Sequence, residues 1–226
     1  MCGRFGLFVT PEVLEEYFSL TESAAALNLP ARYNLTPGQA VAVVREHEGR
    51  RRVDALQWGL IPFWAKDASI GRKLVNARLD SVAVKPAFRE AWTRRRCLIP
   101  ASGFYEWSEP IAGRKRPHFI RPGAEPLLAI AGLWERWRSP SGEKLETCVI
   151  VTTDANAQLA QVHDRMPLLI PRDAHALWLD SHSSVDDVAK LVDRTPALDL
   201  HPVGFGVNDP RKDDETLVAP LDAATS

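Results

Sequence analysis

The sequence predicts a single α+β domain with a mixed, barrel-like β core and peripheral helices. Three observations predict it. From Arg96 onward, apolar or aromatic runs of three to seven residues recur between Gly, Pro and Ser turns, the pattern of a strand-rich core. Helical patterns are few and short, and so belong at the periphery. No internal repeat, low-complexity segment or long linker divides the 226 residues, so residues 1–226 form one domain, with the tail after about residue 220 peripheral.

Thr10-Pro11-Glu12 opens a helix to about Leu20, with a cap candidate, a proline at the first helical position and an acidic first turn. Ala24–Ala26 would extend it, and Pro30 ends it. Arg32–Gly38 reads as an ordered loop. Ala40–Arg45 and Arg52–Trp58 read as two strands around a Glu48-Gly49 hairpin. Trp58–Trp64 is aromatic and turn-rich. Val84, Phe88 and Trp92, four residues apart, predict a helix face within Ser81–Trp92 that Pro86 interrupts. Strands follow at Cys97–Ile99, Phe104–Trp107, Pro117–Ile120, Leu127–Leu133 and Thr147–Thr152. Asp154 is a cap for a helix to about Val162, and Met166–Ile170 reads as a strand. Asp173–Leu179 and Val185–Val192 look helical, and His201-Pro202-Val203 precedes a polar loop, Asn208–Glu215.

Composition narrows the function. Hydrophobic residues make up 45% and charged residues 25%, an ordinary globular balance. The net charge of -1 means that a nucleic-acid partner needs a local basic surface. No apolar run reaches the length of a membrane span, and the amino terminus lacks the pattern of a signal peptide. The three cysteines, Cys2, Cys97 and Cys148, lack CxxC spacing. They predict neither a disulfide framework nor a structural zinc site, and fit a reducing cytoplasm.

Chemistry concentrates in short islands. Methionine before a small residue is normally removed, which would make Cys2 the amino-terminal residue. It would then carry an amine and a thiol on adjacent carbons, a 1,2-aminothiol that can close an aldehyde into a thiazolidine or act in acyl transfer. The alternative is a small buried cysteine. Glu106 lies between Tyr105 and Trp107 in an apolar strand. Desolvation there would raise its pKa and suit it to proton transfer, unless it faces solvent. His163, at a predicted helix end, is either a general acid or a favourable partner for the helix dipole. Asn76-Ala77-Arg78 is either a self-bonded loop or a ligand cradle in which Arg78 holds a phosphate. Aromatics in Trp58–Trp64 are either core or a stacking surface for nucleobases. The runs Arg50-Arg51-Arg52, Arg94-Arg95-Arg96 and Arg114-Lys115-Arg116 are either solvated turns or a phosphate track.

One family carries these islands in this order. Cys2-Gly3-Arg4-Phe5, Arg32-Tyr33-Asn34 with Pro37-Gly38, Trp58-Gly59-Leu60, Asn76-Ala77-Arg78, Gly103-Phe104-Tyr105-Glu106-Trp107, His163-Asp164-Arg165-Met166-Pro167 and His201-Pro202-Val203 resemble the SOS-response-associated peptidase (SRAP) domain, from Met1 to about Pro220. The resemblance implies a protein that binds single-stranded DNA and links covalently, through a thiazolidine, to abasic sites. It also implies an older assignment, autopeptidase activity at the same cysteine. By motif, Cys2 matches the cross-linking residue, and Asn76, Glu106 and His163 match the polar residues around it. Arg4, Arg78 and Arg165 match DNA or active-site contacts, and Asn34, Pro37 and Trp64 join them as candidate DNA contacts. The resemblance calls for no metal or other cofactor. No obligate protein partner is evident in the sequence, and a monomer is expected, cytoplasmic and nucleoid-associated when bound to DNA. Gly204-Phe205-Gly206 departs from the expected pattern and bears on the shape of the DNA groove. Two other functions stay open: an amino-terminal-nucleophile amidohydrolase, which would also use Cys2, and a single-strand-binding module in which Cys2 is incidental.

Overall fold

The computed structural model describes residues 2–28, 30–111, 113–184, 187–188 and 190–221. Its strands are β1 (Phe5–Leu7), β2 (Arg32–Leu35), β3 (Ala40–His47), β4 (Arg50–Trp58), β5 (Asn76–Arg78), β6 (Arg96–Ala101), β7 (Gly103–Ile111), β8 (Arg114–Pro122), β9 (Leu128–Arg138), β10 (Lys144–Asp154), β11 (Arg165–Pro167) and β12 (Leu198–Pro202). Among the described residues, four short helices have bounds: α1 (Pro11–Phe18), α2 (Leu79–Val82), α3 (Arg89–Arg94) and α4 (His175–Leu179).

Five strands close into a barrel. β10, β4, β3, β6 and β9 pair in that order, and β9 returns to β10. The β4–β10 pair is parallel and the rest are antiparallel, so the barrel is mixed. Closure removes the free edges that an open sheet of such apolar strands would expose. Val43, Val44, Leu98, Ile99, Ile130, Ala131, Val149 and Ile150 are all solvent-inaccessible; successive strand residues face opposite ways, so one of each neighbouring pair fills the interior and the other is covered from outside. A second sheet, ordered β12-β8-β7-β1-β2, is antiparallel throughout.

The two sheets join at Ser102, where β6 of the barrel runs directly into β7. The Ser102 N–H donates to the Gly6 carbonyl (2.8 Å), and its hydroxyl accepts from the Phe8 N–H (3.0 Å). Gly103 follows because nothing larger fits. A Cβ there would lie 2.3 Å from the Phe119 ring and 2.6 Å from the Ile120 carbonyl oxygen.

Local chemistry explains most boundaries. The β3–β4 hairpin turns at Glu48 and Gly49, both at positive φ (52° and 73°), as a two-residue hairpin turn requires. α1 begins at Pro11 and stops at Ser19, whose left-handed backbone turns its N–H back to the Glu15 and Glu16 carbonyls. The helix is thus shorter than expected, and the Thr10 side chain does not cap it. Ala24–Leu27 is a separate 3-10 turn capped by Ser23, not an extension.

Several sequence expectations are corrected. Arg32–Leu35 is not loop but the edge strand β2. The polar segment 208–215 folds over it, with Asp213 accepting from the Tyr33 and Asn34 N–H groups. The helix expected within Ser81–Trp92 is two helices, α2 and α3, and Val84 is 73% exposed and outside the buried face. Asp154 ends β10 instead of capping a helix. Asn156 takes that role, its Oδ1 accepting from the Leu159 N–H (2.9 Å), and only a 3-10 turn (Leu159–Gln161) forms. Of Met166–Ile170, only the first two residues lie in β11. Val185, Asp186 and Ala189 of the expected helix Val185–Val192 lie outside the described residues, as do Met1 and the tail 222–226. Arg96 is not in a solvated turn. It is buried, and its guanidinium donates to the carbonyls of Trp92 (3.0 Å) and Trp178 (2.7 Å), tying α3 and α4 to the barrel.

Candidate functional site

Strand register brings Cys2 to Glu106. β1 pairs antiparallel with β7, Phe5 facing Phe104 and Gly6 facing Gly103. The pairing continues outward, since the Tyr105 N–H donates to the Arg4 carbonyl (2.9 Å). Continuing that register sets Gly3 level with Glu106 and Cys2 just beyond it. Both Cys2 and Glu106 are buried, at 0% and 1% exposure, so Glu106 is not a solvent-facing strand residue. Burial pushes the Cys2 thiol well above its ordinary pKa, and the Glu106 charge adds to that. Burial likewise pushes Glu106 up to about 7, with the Asp164 charge contributing. A carboxyl group poised there is half-ionised near neutral pH and can both give and accept a proton.

Asn76 reaches the same place from the barrel. β5 pairs parallel with the last residues of β10, Asn76 facing Ile150 and Arg78 facing Thr152. The Asn76 Nδ2 donates to the Cys2 carbonyl (2.9 Å). Its Oδ1 is buried with no partner among the described residues, as is the Thr152 hydroxyl. Buried polar atoms are normally satisfied, so these two mark a place where a ligand's donors would be welcome. Asn76-Ala77-Arg78 is therefore a strand presenting an amide, not a loop bonded to itself. Thr152 escaped the sequence reading. The only hint was the change from apolar residues to Thr152-Thr153-Asp154 at the end of β10.

His163 stands in the turn before β11, partly buried. Its backbone N–H donates to the Leu159 carbonyl (2.9 Å), and its Nδ1 accepts from the Arg165 N–H (2.9 Å). That bond puts the ring proton on Nε2. Nδ1 also lies 2.8 Å from the Asp164 carboxylate, a contact that is favourable when Nδ1 carries a proton. Burial pushes the His163 pKa down and Asp164 pulls it up, with burial the larger cause. The lowered pKa favours the neutral ring, whose Nε2–H is the proton available for donation.

The expected DNA contacts divide. Arg78 is exposed, and its guanidinium donates to Asp80 (2.7 and 3.1 Å). Arg165 is buried and donates to Asp154 and to the Thr152 carbonyl (2.9 Å), with Asp80 at 4.0 Å. Asp80 thus spans both arginines and orients them. Trp64 is 49% exposed beside Phe63 at 53%, an open aromatic pair, whereas Trp58 is core. Pro37 lines a separate cleft of about 560 Å³ with Gly38, Trp58, Ser69, Gly71 and Arg72. None of the Cys2 cluster lines that cleft, and the chemistry, not the volume, identifies the site. Among the described residues no group of His, Cys, Asp and Glu is arranged to hold a metal. No described helix is long and apolar enough to cross a membrane.

Asn34 is corrected outright. It is fully buried, and its Nδ2 donates to the carbonyls of Asp209 (3.1 Å) and Lys212 (2.7 Å) while its Oδ1 accepts from Arg4 Nη1 (2.8 Å). It cannot touch DNA. It fastens the 208–215 loop and Arg4 to β2. Arg4 also donates to the Val207 carbonyl, so part of its guanidinium is committed to the same loop. Asn34→Ala should lower stability by about 2–4 kcal/mol, because it strands buried carbonyls and the Arg4 donor. Thermal unfolding checks this, and an unchanged Tm would remove the clamp.

Comparison with known proteins gives a consistent result. The model of the family described as SOS response associated peptidase (SRAP) matches residues 1–210. The chain is 35% identical over 221 residues to the abasic site processing protein YoqW of Bacillus subtilis (strain 168), covering 96% of this chain and 99% of that protein. It is 27% identical to the abasic site processing protein HMCES of Mus musculus, covering 98% of this chain and 76% of that one. A crystal structure of a Bacteroides thetaiotaomicron protein superposes with a TM-score of 0.87 at 26% identity, over 97% of this chain and all of that one.

Proposed function

Because this chain belongs to the SOS response associated peptidase (SRAP) family, we propose that it processes abasic sites in single-stranded DNA by capturing the open-chain aldehyde at Cys2 as a thiazolidine. The observation that carries this reading is the convergence of Cys2, the Asn76 amide and a Glu106 carboxyl with a pKa near 7 at one buried point.

Once Met1 is removed, the Cys2 α-amine has an ordinary pKa of about 7.7–8.0, so a useful fraction is neutral at physiological pH. His163 assists opening of the sugar hemiacetal by donating its Nε2–H to the ring oxygen. The amine attacks C1′ and one of its protons moves to the new alkoxide, giving the carbinolamine; protonated Glu106 then gives its proton to the carbinolamine hydroxyl, which leaves as water and forms the iminium. The thiol then adds to the iminium carbon and gives its proton to Glu106. One aldehyde and one aminothiol become one thiazolidine and one water. A thiol held in its protonated form by burial fits that order, because the amine acts first. Ring closure is intramolecular, with an effective molarity on the order of 10⁵ M or more. Asn76, through its free Oδ1, accepts from a sugar hydroxyl. Arg78 and Arg165 attract the flanking phosphates, and Trp64 offers a stacking face.

A denaturing gel with an abasic oligonucleotide tests this. The expected result is a heat-stable shifted band, formed faster on a single strand than on a continuous duplex, since extracting the sugar from a stack costs a few kcal/mol. Ammonia release from glutamine without a band would favour the amidohydrolase, and salt-sensitive binding without a band a non-covalent module. Equal rates on duplex and single strand would remove the single-strand preference.

A further inference from the structure

We propose that the start of β8, Arg114–Arg116, and the loop at Phe205 form a basic, aromatic ledge that holds the single strand on one side of the lesion. This rests on the DNA reading above and adds to it a direction and a set of residues. Arg114, Lys115 and Arg116 follow the hairpin turn, and none of the three has an ion pair among the described residues. Arg45, Arg51, Arg52, Arg95 and Arg136 are paired with carboxylates, whereas other cations, Arg72 and Lys73 among them, are not among the described residues; what distinguishes this segment is that Arg114 and Arg116, two residues apart on one face of β8, flank an exposed aromatic ring. Adjacent cations without a counter-charge repel one another, and a polyanion relieves that repulsion.

The second observation is aromatic. Phe205 is 36% exposed, with the Arg114 guanidinium 4.9 Å and the Arg116 guanidinium 6.0 Å from its ring centre. An exposed ring flanked by two arginines is the combination that stacks a base while pairing its phosphates.

The ledge is continuous with the site. The Phe205 loop is pinned by the Val207 carbonyl to Arg4, two residues from Cys2. Arg4 lies 6.0 Å from the Trp107 ring centre, and Trp107 Nε1 donates to Asn208 Oδ1 (2.9 Å). The Lys115 charge contributes to the lowered pKa of His163. Along β7, Ile111, which pairs with Arg114, is five residues beyond Glu106. That is roughly 17 Å of strand, a span of several nucleotides.

The test measures affinity for a long abasic oligonucleotide and for versions trimmed on the 5′ or the 3′ side, in wild type, in the triple variant Arg114→Gln/Lys115→Gln/Arg116→Gln and in Phe205→Ala. The triple variant should bind the long oligonucleotide about tenfold more weakly, and its log–log salt slope should fall by about 2, for three phosphate contacts at ~0.7 each. Phe205→Ala should also lose about tenfold, with little change in slope. For both, the difference from wild type should vanish on the oligonucleotide trimmed on one particular side. Wild-type affinity in both variants, or a loss that persists on both trimmed oligonucleotides, overturns the ledge. If wild type itself neither binds nor links the long oligonucleotide, the DNA reading fails first, and the ledge with it.

Discussion

Replacing Cys2 with alanine is expected to leave no adduct that survives heating in denaturant. The variant keeps the amine, so it should still form an imine with the abasic aldehyde, but it has no thiol to close the ring. The intramolecular advantage, an effective molarity on the order of 10⁵ M or more, is lost entirely. Borohydride should therefore trap an adduct from Cys2→Ala that is absent without reductant, while wild type should need none. Cys2→Ser should resemble alanine, because an oxazolidine hydrolyses more readily. Cys2 is buried among core side chains, so the variants' Tm must be measured beside the gel. A heat-stable, unreduced adduct from a folded Cys2→Ala protein would sink the thiazolidine.

Glu106→Gln is expected to slow adduct formation by roughly 10²–10⁴-fold, the loss of one acid–base group. The pH profile separates catalysis from placement. Glu106 has a pKa of about 7, so the wild-type rate should lose a limb near that pH when the carboxyl is replaced by an amide. Stability should move the other way. A carboxyl whose folded pKa is raised from 4.5 to about 7 contributes stability that is present below the unfolded value and lost as pH rises through the folded one. At pH 8 the difference is on the order of 3 kcal/mol. Glu106→Gln should therefore be the more stable protein at pH 8, and lose that advantage towards pH 4. His163→Ala gives a companion result. It should slow formation and release alike, by about 10²-fold, since the same donor serves ring opening in both directions. If Glu106 were only structural, its amide variant would show the wild-type pH limb, with activity following the folded fraction.

Much of the fold was legible because its signals are local. Short apolar runs between turn residues marked most of the barrel strands, and Glu48-Gly49 marked the β3–β4 hairpin, because two-residue turns restrict which residues fit. β2 was not legible. Arg32-Tyr33-Asn34-Leu35 alternates polar and apolar residues for only four positions, between Pro30 and Pro37, too few to separate a strand from a loop, and it is a strand because β1 and the Asp213 loop lie against it. The helix after Asp154 failed for a related reason. The residue had already been claimed by β10, whose partner β11 extends the strand past the point where local capping would begin.

The sequence by itself determined which groups are reactive: an aminothiol candidate at Cys2, a carboxylate among aromatics at Glu106, an amide at Asn76 and an imidazole at His163. Order and residue type sufficed for that, because each island carries its chemistry within a few residues. Only the tertiary structure decided the surroundings of each group. The β1–β7 register set Cys2 beside Glu106, and burial then moved the pKa of Glu106 up into the neutral range and that of His163 down. Burial also turned Asn34 from a candidate DNA contact into a clamp, and left Arg78 and Trp64 at the surface. Desolvation depends on every element packed around a group, and those elements come from sequence positions more than a hundred residues apart.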